Sequence, residues 1–112
     1  MKLLIAGSRS IKDFDISSYI PVDTELIISG GANGVDALAE AYADKKRISK
    51  LILRPRYELY RRAAPIKRNE QMVEICDKVL IFWDSVSKGT KHTIDYANKI
   101  GKPIEIITVL ES

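Results

Sequence analysis

The chain contains one cysteine, one histidine and one tryptophan, and this scarcity argues against several kinds of site. With Cys76 alone, no disulfide can form within the chain, so we expect a protein of the reducing cytoplasm. Neither Cys76 nor His92 has a second cysteine or histidine with which to hold zinc, and we expect no metal site and no cofactor. Cys76 shares an apolar helical stripe with Met72 and Val73, which predicts a core position for it and not a nucleophile.

Long apolar runs are also missing. None approaches the ~20 residues that a membrane-spanning helix requires, so we expect no membrane partner. The opening residues, "MKLLIAGSRS", hold too short an apolar region for a signal peptide. The composition is that of a globular protein, with 112 residues of which 46% are hydrophobic and 29% charged. We predict one domain over residues 1–112, whose modest core would gain stability in a homo-oligomer, a dimer or larger.

The net charge of +3 is unevenly distributed. The segment 54–68, "RPRYELYRRAAPIKR", holds six basic residues and one acid, whereas the rest of the chain carries a net charge of −2. Such a concentration indicates either a local anion site or a solvated charged loop, and the charge alone does not decide between them.

Short apolar runs alternate with helix-like segments. Five of these runs have the length and content of strands: 2–6, 25–29, 50–54, 78–83 and 103–110. This alternation predicts an α/β fold with a mostly parallel sheet of about five strands in the order 3-2-1-4-5. The order reverses between the first and fourth strands, and ligands of such sheets bind beyond the carboxyl ends of the strands at that point.

Helical spacing begins at Val35 and recurs in "NEQMVEIC" before the fourth strand. It appears again in "TKHTIDYANKIGKP", where Ile94, Ala97 and Ile100 are expected to face inward. Asp13 is a candidate N-cap for a further short helix between the first two strands.

Three turns between a strand and the following helix are predicted to meet at the crevice. They are "GSRS" (7–10), "SGGANG" (29–34) and "DSVSKGT" (84–90). All are rich in glycine and serine, so backbone amides can approach a ligand, and helix N-termini add partial positive charge. We therefore predict a phosphate site, although one such turn alone would need no ligand to explain it. The pattern matches neither the dinucleotide fingerprint nor the P-loop.

The stretches "SGGANGVDALAEAYA", "RRAAPIKRNEQMVEICDKVLIFWD" and "SKGTKHTIDYANKIGKP" resemble the SLOG superfamily, which is named for the DprA/Smf and LOG proteins. Within it they resemble most the stand-alone branch called YspA-like or YpsA-related. The resemblance runs from "IAGSRS" to the last strand. It implies a Rossmann-like, three-layer domain that binds a phosphate-bearing nucleotide or nucleotide-derived ligand, for sensing or processing.

The LOG enzymes of that superfamily cleave the N-glycosidic bond of nucleoside monophosphates. Their R-K-x-x-M motif resembles "RNEQM", which places their catalytic arginine on Arg68, and their P-G-G-x-G-T-x-x-E motif matches at Gly89 and Thr90. Their catalytic glutamate falls on Thr93, yet the cleavage needs a carboxylate. An N-glycosidic hydrolase is therefore the alternative, and whether the protein is an enzyme stays open. The catalytic candidates are Arg68, Glu70 and His92, with Asp36, Asp84 and Asp95 as further acids.

DprA-type proteins bind single-stranded DNA, and their S-G-x-A-x-G-I-D and R-N-R motifs resemble "SGGANGVD" and "KRNEQ". Tyr57 and Tyr60 among the arginines of segment 54–68 fit such binding, which combines a basic groove with stacking aromatic rings. The flanking modules of that family do not occur in these 112 residues, so nucleic acid is the less favoured partner.

The predicted ligand-binding residues lie in the three turns and at the start of the helix before the fourth strand. They are Gly7, Ser8, Arg9, Ser29, Gly30, Gly31, Asn33, Gly34, Asp36, Arg68, Asn69, Trp83, Ser87, Lys88, Gly89 and Thr90. Arg68 would contact a phosphate, Asp36 a hydroxyl, and Trp83 a base. A surface arginine, a carboxylate at a helix start and an interface aromatic are the structural alternatives for these three.

Overall fold

The computed structural model describes residues 1–110, which form a five-stranded sheet with helices on both faces. Its strands are β1 (Lys2–Gly7), β2 (Leu26–Ser29), β3 (Ser49–Ile52), β4 (Lys78–Trp83) and β5 (Ile104–Thr108). All neighbouring strands pair in parallel, in the order β3-β2-β1-β4-β5. The predicted α/β class and strand order are therefore confirmed.

The helices are α1 (Val35–Lys46), the single turn α2 (Tyr57–Tyr60), α3 (Ala64–Ile75) and α4 (Lys88–Lys99), with 3₁₀ turns at Ser17–Tyr19 and Arg61–Ala63. Side chains of β1 point alternately to the two faces, so that Leu3 and Ile5 pack with α1 while Leu4 packs with α3 and α4. Cys76, 2% exposed, lies in the core on the α3–α4 side, as predicted.

The connection between β1 and β2 departs from the predicted helix. Within residues 1–110, Asp13 accepts no hydrogen bond; instead Asp15 accepts hydrogen bonds from the amide and hydroxyl of Ser17, and the segment forms a 3₁₀ turn. The segment still packs against the core on the α1 side through three buried residues: Ile11, Ile16 and Ile20. Their spacing of five and four residues does not follow one face of an α-helix, which explains the irregular path.

The ends of two helices also differ from expectation. α3 begins at Ala64, with Pro65 in its first turn, where a missing amide hydrogen does no harm. Arg68 and Asn69 therefore lie inside this helix and not at its start. α4 ends at Lys99, so Ile100, which was expected to face inward, follows the helix and is 42% exposed.

Candidate functional site

A cavity of about 480 Å³ lies at the carboxyl ends of β1 and β4, where the strand order reverses. The turn after β1, the first turn of α1 and the facing sides of α3 and α4 enclose it. Its lining consists of Ala6, Gly7, Ser8, Arg9, Ser10, Ala32, Asp36, Pro65, Arg68, Asn69, Met72, Asp84, Ser87, Lys88, Gly89, Thr90 and Thr93. A cavity of this size is in the range of small-molecule sites.

Arg68 reaches the cavity from α3 and is 8% exposed. Its Nη1 donates to the carbonyl oxygens of Gly30, at 2.7 Å, and of Leu53, at 3.3 Å. Its Nε donates to Oδ1 of Asn69 at 2.8 Å. The guanidinium thus ties the residues after β2 and β3 to α3, a structural role that the sequence did not predict. Within residues 1–110, Nη2 has no hydrogen-bond partner, so one edge of the guanidinium is unused.

Asp36, in the first turn of α1, is the second charged residue buried at the cavity, and it is also 8% exposed. Its Oδ2 accepts a hydrogen bond from the Ala32 amide at 3.1 Å, whereas its Oδ1 has no partner in the described part of the chain. Burial raises the pKa of Asp36, and the Ala32 amide and the charge of Arg68 act in the opposite direction. An unused carboxylate oxygen at this place suits a hydroxyl donor.

Two glycines of the first two turns, Gly7 and Gly34, are explained by packing against backbone atoms. A Cβ on Gly34, whose φ is 75°, would overlap the carbonyl oxygens of Ser8 and Arg9. A Cβ on Gly7 would overlap the carbonyl oxygen of Phe82 on the neighbouring strand. The turns "GSRS" and "SGGANG" therefore press directly on their surroundings, and glycine is required at these positions with or without a ligand.

Gly89, in the first turn of α4, has a different environment. A Cβ built on Gly89 meets no atom within 4 Å, and its φ is not positive. The residue is exposed and also lines the cavity, so packing does not require glycine at this position.

Asp84 organises the turn that leads into α4. Its Oδ1 accepts the amides of Val86 and Ser87, at 2.9 and 2.8 Å. Its Oδ2 accepts the hydroxyls of Ser10 and Ser87, at 3.1 and 2.9 Å. Desolvation would raise the pKa of Asp84, but these hydrogen bonds outweigh it and hold that pKa well below its usual range. Because both oxygens are occupied, Asp84 is suited to shaping the turn and poorly suited to exchanging a proton with a ligand.

The amides of Lys88, Gly89 and Thr90, the first three of α4, have no hydrogen-bond acceptor among residues 1–110. The hydroxyl of Thr90, which is 7% exposed, is also without a partner there. Lys88 and, on the turn after β1, Arg9 are both exposed and both line the cavity. The lining therefore carries three cations, Arg9, Arg68 and Lys88, and two carboxylates, Asp36 and Asp84.

Ten of the predicted ligand-binding residues line this cavity: Gly7, Ser8, Arg9, Asp36, Arg68, Asn69, Ser87, Lys88, Gly89 and Thr90. The other six do not: Ser29, Gly30, Gly31, Asn33, Gly34 and Trp83. Ser29 is fully buried, and its Oγ accepts the amide of Gly31. The indole of Trp83 packs against the core and donates to the carbonyl oxygen of Ser87 at 3.1 Å. Neither side chain is directed at the cavity lining.

Of the catalytic candidates, Arg68 alone lines the cavity within the described chain. Glu70 and His92 meet across α3 and α4, with Oε2 and Nε2 2.9 Å apart, outside the lining. Asp95 forms an ion pair on the exposed side of α4. Among the acids considered from the sequence, this leaves Asp36 as the carboxylate that both lines the cavity and has an unused oxygen.

Seven lining residues were not predicted as ligand-binding: Ala6, Ser10, Ala32, Pro65, Met72, Asp84 and Thr93. Three of them, Ser10, Ala32 and Asp84, belong to the turns that were predicted to meet at the crevice. A signal also existed for Met72 and Thr93, because they lie one helical turn after Arg68 and Gly89 and so share their faces. Thr93, at the position of the LOG glutamate, donates its hydroxyl to the carbonyl oxygen of Gly89.

Comparison with models of protein families, with curated proteins and with solved structures gives no match to this chain. Over residues 1–110, no helix is both long and apolar enough to cross a membrane. In the same described range, no three His, Cys, Asp or Glu side chains are grouped so that they could hold a metal ion.

Proposed function

We propose that the protein binds a phosphate-bearing nucleotide or nucleotide-derived ligand in the cavity between α3 and α4. The phosphate would lie at the start of α4, and a hydroxyl of the ligand would reach Asp36. One observation carries the proposal: Lys88, Gly89 and Thr90, whose amides have no acceptor in the described chain, line the same cavity as Arg68, whose buried guanidinium keeps an unused edge.

Amides at a helix start and a guanidinium are the two groups that proteins use most readily for phosphate. Thr90 adds a hydroxyl without a partner in the described chain, and Lys88 and Arg9 add positive charge at the rim. The carboxylate of Asp36 would repel a phosphate placed next to it, so it is assigned to a hydroxyl instead. The resemblance of the three sequence stretches to the SLOG superfamily supports the same ligand class.

The proposal is tested by isothermal titration of the protein with a nucleoside monophosphate and with the matching nucleoside. We expect the monophosphate to bind and the nucleoside to bind at least about tenfold more weakly, because hydrogen bonds to a charged group are worth ~1.5–3 kcal/mol each. Equal affinity for the two compounds would reject a phosphate anchor.

A matched pair of variants locates the anchor. Lys88→Gln removes a cation that lines the cavity, whereas Lys91→Gln removes one that pairs with Asp95 on the same helix outside the lining. We expect affinity for the monophosphate to fall about tenfold for Lys88→Gln and to stay within about twofold for Lys91→Gln. The same loss for both variants would mean that only the general charge of α4 matters.

Hydrolysis of the glycosidic bond is the second candidate function, and a single residue favours it. Asp36 lines the cavity, has an unused oxygen and has a raised pKa, which are the properties of a proton-transfer group. Thr93 in place of the LOG glutamate argues against turnover. Chromatography of free base after incubation with nucleoside monophosphates decides the matter: we expect none, and release near ~1 per second that Asp36→Asn abolishes would establish the hydrolase.

Binding of single-stranded nucleic acid is distinguished from binding of a mononucleotide by how steeply the affinity falls with salt. Tyr57 and Tyr60, 59% and 36% exposed, lie on the basic segment 54–68 outside the cavity lining. We expect an oligonucleotide to bind no more tightly than a mononucleotide and to show a shallow dependence on salt. Tight oligonucleotide binding that falls steeply with salt and is lost in Arg61→Gln/Arg62→Gln would favour the DprA-like alternative.

A further inference from the structure

The aromatic side chains of residues 1–110 all lie away from the cavity lining. Phe14, Tyr19 and Phe82 pack against one another in the core on the α1 side. Tyr96 bonds to Glu74 between α3 and α4, and Trp83 is held by the carbonyl oxygen of Ser87. A site that recognises a nucleobase normally offers an aromatic face on which the base stacks. The lining lacks this element.

The lining also offers few groups with which to read the hydrogen-bonding edge of a base. A side-chain amide reads a base through a donor and an acceptor used together. Asn69 is the one side-chain amide in the lining, and its Oδ1 already accepts from Nε of Arg68, which holds the amide in one orientation. The other polar groups are isolated hydroxyls and charged groups, such as the hydroxyl of Thr90 and Oδ1 of Asp36.

Such single groups suit the hydroxyls of a sugar. The apolar part of the lining is small and aliphatic, with Ala6, Pro65 and Met72. It offers contact to the carbon edges of a sugar ring.

We infer that the cavity recognises the phosphorylated sugar of its ligand and leaves the base outside, so that the ligand class is a pentose phosphate, with or without a base. The inference rests on the proposed function, because it assigns the phosphate to the same group of residues. It adds that Asp36 is the specificity-determining residue, which accepts a hydroxyl of the sugar.

The test is a titration series with pentose 5-phosphate, the four common nucleoside monophosphates and inorganic phosphate. We expect the pentose phosphate and all four monophosphates to agree within about threefold. Monophosphates that bind more than about tenfold tighter than the pentose phosphate, or that differ among bases by that factor, would overturn the inference and leave the proposed function intact. Binding of none of the phosphorylated compounds would overturn both.

Two variants sharpen the result. Tyr57→Ala removes an exposed ring of the basic segment 54–68 outside the cavity lining, and we expect no change for any of the compounds. A loss confined to the nucleoside monophosphates would show a stacked base and contradict the inference. Asp36→Asn should lower the affinity for the pentose phosphate about tenfold and that for inorganic phosphate less than about twofold, because only the pentose phosphate has a sugar hydroxyl to donate to Asp36. An equal loss for both would remove Asp36 from sugar recognition.

Discussion

The starts of α1 and α4 meet at the same edge of the sheet, and both follow a turn rich in glycine and serine, yet they are built differently. The first amide of α1, that of Val35, donates to the carbonyl oxygen of Ser8, and the first turn holds a carboxylate of its own in Asp36. The start of α4 has no acidic residue in its first turn, and its first three amides have no acceptor in the described chain. The start of α1 thus has its first amide bonded within the protein and carries a carboxylate, whereas the start of α4 has neither feature, and it is there that we propose the phosphate lies.

This contrast changes how a glycine-rich turn should be interpreted. In "SGGANG", Gly34 relieves a contact between backbone segments, so it would be needed in a protein that binds nothing, whereas a Cβ on Gly30 would meet the side chains of Arg68 and Asp36. In "DSVSKGT", Gly89 relieves no contact and needs no unusual backbone angle, yet it lies at the cavity. The glycine without a packing reason is therefore the better indicator of a ligand.

The largest effect is expected from Gly34→Ala, on the side of α1. The new Cβ would overlap two carbonyl oxygens in the turn after β1, and φ is 75°, so both overpacking and strain apply. We expect the free energy of unfolding to fall by about 3 kcal/mol in urea denaturation. Asn33→Ala, at the exposed neighbouring position, is the control and should stay within about 0.5 kcal/mol. A Gly34→Ala protein as stable as the wild type would mean that the two turns do not press together.

Arg68→Met comes next, because it removes the guanidinium that ties the residues after β2 and β3 to α3. The carbonyl oxygens of Gly30 and Leu53 would lose this donor while the stem of the side chain is kept. We expect a loss of about 2 kcal/mol in the free energy of unfolding, together with loss of monophosphate binding. Arg62→Met changes an exposed arginine of the same basic segment and should alter neither quantity measurably. Loss of binding with unchanged stability would assign Arg68 to the ligand alone.

The double role of Arg68 marks the limit of prediction from sequence. Periodicity and apolar runs predicted the five strands and their order, because strands and helices must bury matching faces and parallel crossovers have a fixed hand. The crevice followed from that order. That Nη1 of Arg68 bonds to Gly30 and Leu53 depends on where three separate segments meet, and no local pattern contains that distance. The starting point of α3 is different, because Pro65 was a readable signal.

Trp83 and Asp13 show two further limits. The position of Trp83 at the end of β4 was predicted, but its direction depends on a hydrogen bond to the carbonyl oxygen of Ser87, four residues away. Asp13 has the chemistry of an N-cap, as Asp15 does, and the spacing of the buried isoleucines prevents a helix after either. Residue type thus indicated what these side chains could do, and tertiary packing decided what they do.

Asp36→Asn should change the free energy of unfolding by less than Arg68→Met does, and the change should depend on pH. Burial raises the pKa of Asp36 above its ordinary value of 3.8, so the folded state holds the proton more tightly than the unfolded state. Wild-type stability should therefore fall as the pH rises from that value through the raised pKa, and level off above it. The asparagine variant lacks this fall and keeps an oxygen for the Ala32 amide.

The measurement is urea denaturation of both proteins between pH 4 and pH 8, taken at about one-unit steps. We expect the free energy of unfolding of the variant to increase relative to that of the wild type as the pH rises through the acidic part of this range. At neutral pH the variant should be about 1 kcal/mol more stable. A difference between the two proteins that does not change with pH would show that the pKa of Asp36 is the same in the folded and unfolded states.

The smallest effect on stability, with the clearest meaning for the comparison, is expected from Gly89→Ala at the start of α4. Alanine fits there without contact and is the better helix former, so the free energy of unfolding should rise by about 0.5 kcal/mol. The methyl group is added to a residue of the cavity lining whose amide has no acceptor in the described chain, and we expect it to weaken monophosphate binding about tenfold. If glycine at position 89 serves ligand binding and not packing, stability and affinity should change in opposite directions in this one variant, as measured by urea denaturation and titration calorimetry. Unchanged affinity would place the phosphate elsewhere, and a loss of stability would mean that Gly89, like Gly34, is held by packing.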